Sequence, residues 1–197
     1  MRAWIVAMEC EADAVRPALK QDDRLYLSGI GKVNAAMATQ QAIDEGATEI
    51  VNAGLAGGLV PTMNIADVVE IGAAIEYDFN LDDINHRGIG VLDEREETEI
   101  PVSGADKNAA RLYTLATGDR FTNDETDIML VRELGGEVRD MEGAAIAHVC
   151  EKRKVKCRMI KAISDVAGRG GMVEQYLAKK ERALKALGDA LVNLDQP

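Results

Sequence analysis

Histidine, cysteine, aromatic side chains, positive charge and long apolar runs are all scarce in this sequence, and each shortage excludes a class of function. Two His and three Cys among 197 residues are too few for a His-rich metal centre. The nearest pairing, His148-Val149-Cys150, lacks the spacing of a zinc site and reads as helix packing, so no metal is expected. Cys10, Cys150 and Cys157 are odd in number and lack paired spacing, which fits reduced thiols better than a disulfide framework. Lys and Arg total 23 against 34 acids, a net charge of −11, so neither nucleic acid nor an anionic membrane surface is an expected partner. The run Ala3 to Met8 ends at Glu9, too short for the core of a secretion signal, and no later run approaches the roughly 20 residues that span a bilayer. The expectation is a cytoplasmic protein with no membrane partner.

What is present is alternation. With 47% hydrophobic residues, the chain is long enough to bury one α/β domain, 1–197, without a second. Strand patterns fall at Arg2 to Met8, Arg24 to Ser28, Glu49 to Ala53, Asp67 to Asp78, Arg111 to Thr117, Val138 to Met141 and Cys157 to Asp165. Helical patterns open after most of them, and a last helix runs from Met172 to Leu194 with Val173, Leu177, Leu184, Leu187 and Leu191 at packing spacing. Asn80 to Glu99, acidic and glycine-containing, reads as a surface loop before a short strand near Ile100 to Ser103. Strands alternating with helices throughout predict a three-layer α/β sandwich around a mostly parallel sheet.

Carboxylates gather where such a sheet binds ligands, beyond the carboxyl ends of its strands. Ser164-Asp165 closes one strand, Glu142 stands where another hands over to a helix, and Glu9-Cys10-Glu11 follows the first. Each has a bland reading as well, Asp165 as a turn cap and the glutamates as first-turn acids favoured by the helix dipole. An acidic first turn is unsuited to phosphate, which is held by glycines and backbone N–H groups. Gly29-Ile30-Gly31-Lys32-Val33-Asn34 superficially matches a dinucleotide fingerprint, but Asn34 replaces the third glycine, the unit is not the first, and no acid follows about 20 residues on. The glycines of Gly54 to Leu59 allow backbone to approach a ligand closely, as a simple turn would also. Phe121, one of two Phe in the chain, lies just past a strand, where it can stack on a base or serve as a core aromatic.

Asp140-Met141-Glu142-Gly143-Ala144-Ala145-Ile146-Ala147-His148-Val149-Cys150, followed by Lys161-Ala162-Ile163-Ser164-Asp165-Val166-Ala167, closely resembles the methylthioadenosine/S-adenosylhomocysteine nucleosidases of the nucleoside phosphorylase and hydrolase superfamily. Ala7 to Glu11, Ser28 to Ala36 and Thr117 to Phe121 extend the resemblance, in order, over nearly the whole chain. It implies an α/β/α sandwich with a mixed, partly barrel-like central sheet, a homodimer, and hydrolysis of a purine N-glycosidic bond in methylthioadenosine, S-adenosylhomocysteine or a related nucleoside. It further implies that Glu11 activates water, that Asp165 donates a proton to N7 of adenine, and that Glu142 grips the ribose beside Met141. Gly57 would contact substrate, Phe121 would stack on the base, Thr122 would meet the base edge through its backbone, and Tyr176 would face the substrate. No metal or organic cofactor is called for.

Two departures stand out. Leu55 replaces a serine that in the nucleosidases helps to hold the attacking water. The Asn80 to Glu99 region is shortened and acidic and a helix expected after it is missing, which predicts loose discrimination of the group on the sugar's 5′ carbon. Two alternatives use the same fold: a phosphorylase, for which Val51-Asn52-Ala53-Gly54-Leu55 offers no arginine, and a nucleoside-binding protein without catalysis. A dinucleotide-dependent enzyme is the least favoured reading.

Overall fold

The computed structural model describes residues 1–92, 94–106, 108–121 and 124–194. Its first strand, β1 (Arg2–Val6), shows how the layers arise. Successive side chains of a strand point to opposite faces, so Ala3 and Ile5 enter one core while Trp4 and Val6 enter another. The first core is covered by α2 (Lys32–Asp44) and α5 (Gly143–Arg153), through Ala35, Ala42, Ala144, Ile146 and Ala147. The second is covered by α1 (Glu9–Val15) and α6 (Met172–Val192), through Ala12, Val15, Ala183, Leu184, Leu187 and Leu191. Helices on both faces of a sheet make the three-layer α/β sandwich that the alternation predicts.

The sheet is mixed and closes on itself. Parallel to β1 run β2 (Arg24–Leu27) and β3 (Glu49–Gly58), and β3 is also parallel to β8 (Lys156–Val166). Next, β8 runs antiparallel to β4 (Val68–Glu76), which is parallel to β6 (Leu112–Thr117). Then β6 is parallel to β7 (Val138–Asp140), and β7 returns antiparallel to β3 at Gly57 and Gly58. These five strands form a ring, with β1 and β2 extending it on one side and the short β5 (Ile100–Pro101) flanking β4.

Several boundaries differ from the sequence expectation. The glycine-rich segment after Ala53 is strand, because β3 stays paired with β8 to Gly58 across one irregularity at Ala56/Gly57. Asn80 to Glu99 contains a helical turn, α3 (Asp82–Asn85), and buries Val91 and Leu92. The apolar stripe of α6 is only half inward: Val173 and Leu177 are exposed, and Met172 is the buried residue of its first turn. Met172 packs into a third core with Leu59, Tyr77, Ala116 and Ala167, while Tyr176, one turn on, lines the cleft described below. Helix α4 (Glu125–Glu133) is capped by Asp124, whose carboxylate accepts from the Thr126 N–H.

Candidate active site

One cleft collects the ends of these elements. Its wall includes Met8 beyond β1, Glu11 of α1, Leu55 to Gly57 of β3, Arg139 to Glu142 at the β7–α5 junction, Ser164 and Asp165 of β8, and Phe121 and Tyr176. Seven of the eight residues given a site role in the sequence therefore meet in one place. The eighth, Thr122, lies outside the described residues.

The two acids of the first turn part company. Glu9 is exposed and pairs with Arg16, whereas Glu11 is buried at 4% exposure. Glu11 is the third residue of its helix and reaches back in the manner of a capping-box glutamate. Its Oε2 accepts from the N–H groups of Ala7 and Met8 at 3.1 and 3.0 Å. Its Oε1 accepts from the Leu55 N–H at 2.7 Å. The close approach requires Gly54, because a Cβ there would stand 2.6 Å from that oxygen. Burial pushes the Glu11 carboxyl up, while the Leu55 amide and the Lys161 charge pull it back.

Glu142 precedes α5, and its Oε1 accepts from the Gly31 N–H at 2.8 Å. Gly31 adopts a φ of +102°, which aims that N–H inward and is strained for any residue with a side chain. The next amide, Lys32, donates to Asp119 at 2.9 Å. The start of α2 is thus already occupied by the protein's own carboxylates, which is why the Gly-x-Gly turn is no dinucleotide cradle. Burial pushes Glu142 up to about 7, assisted by the nearby Asp140 charge and opposed by Lys161.

Lys161 is the functional residue that sequence reasoning passed over. It sits within β8 at 2% exposure, and its Nζ is 2.9 Å from Asp140 Oδ2. Burial would lower its pKa, but Asp140, Glu142 and Glu11 together raise it, so one ammonium stays charged among three carboxylates. Asp140 is held further by the Thr117 hydroxyl at 2.5 Å and the Gly143 N–H at 2.9 Å. A lysine inside an otherwise apolar strand was the available signal.

Asp165 occupies the opposite side of the cleft, 1% exposed. Its Oδ2 accepts from the Ser164 hydroxyl at 2.8 Å, and its Oδ1 has no hydrogen-bond partner. Burial pushes this carboxyl up, against the lowering influence of Ser164 and of Arg139. Gly57 forms the floor, since a Cβ there would lie 3.0 Å from Asp165 Oδ1 and 3.3 Å from Met172 Cε. At the mouth, Phe121 is 47% exposed and meets Tyr176 edge-on, with ring centroids 5.7 Å apart. Tyr176 also donates its hydroxyl to Met8 Sδ at 3.7 Å. The segment Val51 to Leu55 carries no arginine of its own, but Arg139 pairs in register with Gly57 from the neighbouring strand.

The phosphorylase superfamily profile matches residues 24–194 of this chain. The chain belongs to that superfamily. Among its relatives is the 5′-methylthioadenosine/S-adenosylhomocysteine nucleosidase of Geobacillus sp. (strain WCH70), 33% identical over 187 residues, which cover 86% of this chain and 78% of the relative. The corresponding Bacillus subtilis (strain 168) nucleosidase is 34% identical over 168 residues, 78% of this chain and 73% of the relative. This superfamily member therefore falls within the nucleosidase family. Solved structures share its fold. The Neisseria meningitidis nucleosidase in complex with methylthio-immucillin-A matches with a TM-score of 0.83 at 23% identity, covering 98% of this chain and 97% of that one. The futalosine hydrolase of Helicobacter pylori strain 26695 matches with a TM-score of 0.83 at 22% identity and the same coverage.

Proposed function

We propose that the protein is a purine nucleosidase that hydrolyses the N-glycosidic bond of nucleosides of the methylthioadenosine and S-adenosylhomocysteine class, releasing base and free sugar. The observation that carries this reading is the sorting of buried carboxylates onto two sides of one cleft, Glu11 and Glu142 beside Lys161 and Asp165 apart from them. Breaking the C1′–N9 bond sends its electron pair to the base and leaves positive charge on the sugar. Asp165, whose carboxyl burial pushes up, gives its proton to N7 of the departing base. Glu11 takes a proton from the water whose oxygen bonds to C1′. A carboxylate offers about four lone-pair directions, and backbone amides take three of them on Glu11, which leaves one for that water. The Leu55 side chain adds no hydrogen bond here, so its contribution is the N–H that fixes Glu11. Glu142 binds the ribose hydroxyls, Met141 and Gly57 border the sugar and base, Phe121 stacks on the base, and Thr122 is assigned the base edge.

Phosphate is disfavoured as the nucleophile because it would have to enter between Glu11 and Glu142. Incubating the protein with adenosine, inosine and methylthioadenosine, with and without phosphate, tests the reading. Free base and reducing sugar are expected in both conditions, and a sugar 1-phosphate as main product would overturn it. One domain, 1–197, carries this activity. A homodimer belongs to the same reading, supported by Val33 and Met37, which share a face of α2 at 70% and 68% exposure. Sedimentation as a monomer at working concentration would remove it. Three free thiols fit a reducing, cytoplasmic location, and among the described residues no helix is long and apolar enough to cross a membrane.

A further inference from the structure

We propose that Lys32 is a positioning residue for the sugar: with Asp78 and Asp119 it closes a ring that holds the Gly31 N–H on Glu142, and the affinity for the ribose hydroxyls depends on that ring. This deepens the hydrolase reading and rests on it. Lys32 does not line the cleft, so it acts through its neighbour in the chain.

The ring joins the first residue of α2 to the ends of two strands. Lys32 Nζ lies 2.6 Å from Oδ1 of Asp78, just past β4. The other oxygen of Asp78 accepts from the N–H of Asp119, just past β6, at 2.9 Å. Asp119 Oδ1 in turn accepts from the Lys32 N–H, also at 2.9 Å. Glu76, the last residue of β4, adds a second carboxylate 3.3 Å from Nζ. Behind Glu76 stands His148 of α5, 3.7 Å away through Nδ1, with Glu94 2.8 Å from its Nε2. The Lys32 side chain is 19% exposed, and a partly buried pair is screened less than a surface one.

Gly31 needs this support. Glycine has little preference of its own to hold a φ of +102°, so the direction of its N–H is set by what fixes the residues on either side. The Ile30 carbonyl accepts from the Asn34 side chain at 2.8 Å, and Lys32 is fixed by the ring. Asp119 also closes directly over the glycine, since a Cβ on Gly31 would lie 3.2 Å from its Oδ1. The Gly31 N–H favours ionised Glu142, together with Lys161 and against the charges of Asp140 and Glu11. Opening the ring therefore weakens the sugar grip twice, by letting the carboxylate turn and by reducing its ionised fraction at a given pH.

The test measures kcat and KM against pH for adenosine and for 2′,3′-dideoxyadenosine, which lacks both hydroxyls, in the wild type, Lys32→Met and Lys32→Arg. In Lys32→Met, KM for adenosine is expected to rise about tenfold with kcat within about threefold, while KM for the dideoxynucleoside changes less than about twofold. The rise of the adenosine KM toward acid should begin at a higher pH than in the wild type, and Lys32→Arg should recover most of the affinity. A general loss of packing would raise both KM values together and leave the pH dependence in place. That result, or an unchanged KM for adenosine, would overturn the assignment. If Lys32→Met does not fold, Asp78→Asn, which keeps the shape of the ring and removes its charge, decides by the same comparison. If neither nucleoside is cleaved, the hydrolase reading fails, and calorimetric binding of the two then decides the role of Lys32: a loss confined to adenosine supports it, and an equal loss or none overturns it.

Discussion

The two ends of the cleft are built on opposite terms. On the sugar side each carboxylate is fixed before any ligand arrives: Glu11 by three amides, Glu142 by the Gly31 N–H, and Asp140 by Thr117, Gly143 and Lys161. On the base side Asp165 keeps one buried oxygen without a partner, and Phe121 stands half open at the mouth. A preorganised region stabilises charge without rearranging when the bond breaks. An unsatisfied buried group is costly until a ligand meets it. In the proposed function the sugar end therefore supplies fixed electrostatics, and the base end supplies the group that must gain and lose a proton.

Removing that proton should have the largest effect. Asp165→Asn keeps the shape and the Ser164 contact but cannot protonate N7, so kcat should fall by roughly 10³-fold while nucleoside binding persists. Stopped-assay kcat together with equilibrium binding checks this, and near-normal kcat would exclude Asp165 as the acid. On the sugar side the comparable break is Lys161→Met. It strands Asp140 beside Glu142 and Glu11, and removing one partner of a buried ion pair costs on the order of 3 kcal/mol or more. Chemical denaturation should show that loss, with Lys161→Arg recovering part of it. Equal stability of Lys161→Met and wild type would mean that the sugar-side carboxylates do not depend on this cation.

A pH profile sharpens the comparison at intermediate size. In the proposed function Glu142 binds ribose as the ionised form, so KM should rise up to tenfold per unit as pH falls below about 7. Stability moves the other way. The folded value lies above the ordinary 4.5, so the unfolded chain ionises first, and stability declines as pH rises from about 4.5 to about 7. Glu11 and Asp165, also raised by burial, add in the same direction. An activity rise over the interval in which the melting temperature drops is expected, and parallel rises would contradict the assignment.

Much of this arrangement was legible before the structure. The strand-helix alternation gave the layers, because periods of 2 and 3.6 record which side chains are buried. The acids at strand ends were visible as chemistry out of place in apolar surroundings. The closure of β3, β8, β4, β6 and β7 into a ring was not readable from pattern, since strand pairing is a long-range property. Gly54 looked like a loop glycine and proved to be strand that makes room for Glu11. Lys161 and Arg139 escaped notice because the neighbours of a cation along the chain do not identify its partners in space. Only the fold reveals which carboxylates surround it.

The smallest expected effect concerns the 5′ end of the sugar. None of the described residues from Asn80 to Glu99 lines the cleft, and its larger apolar lining residues include Met8, Ile30, Met141 and Tyr176. Two of these are linked through the Tyr176 hydroxyl on Met8 Sδ, at the open mouth. A methylthio group is about two methylene-sized units, worth roughly 0.8 kcal/mol each when fully buried. That corresponds to about a tenfold gain over the 5′-hydroxyl in kcat/KM. Methylthioinosine against inosine, and methylthioadenosine against adenosine, measure it with the base held constant. Tyr176→Ser should erase about half of the gain by opening one wall, leaving turnover of the unsubstituted nucleosides within a few fold. A methylthio preference above about 100-fold, roughly 2.7 kcal/mol, would require a wall that these four residues do not provide, and a second copy of the chain would then have to supply it.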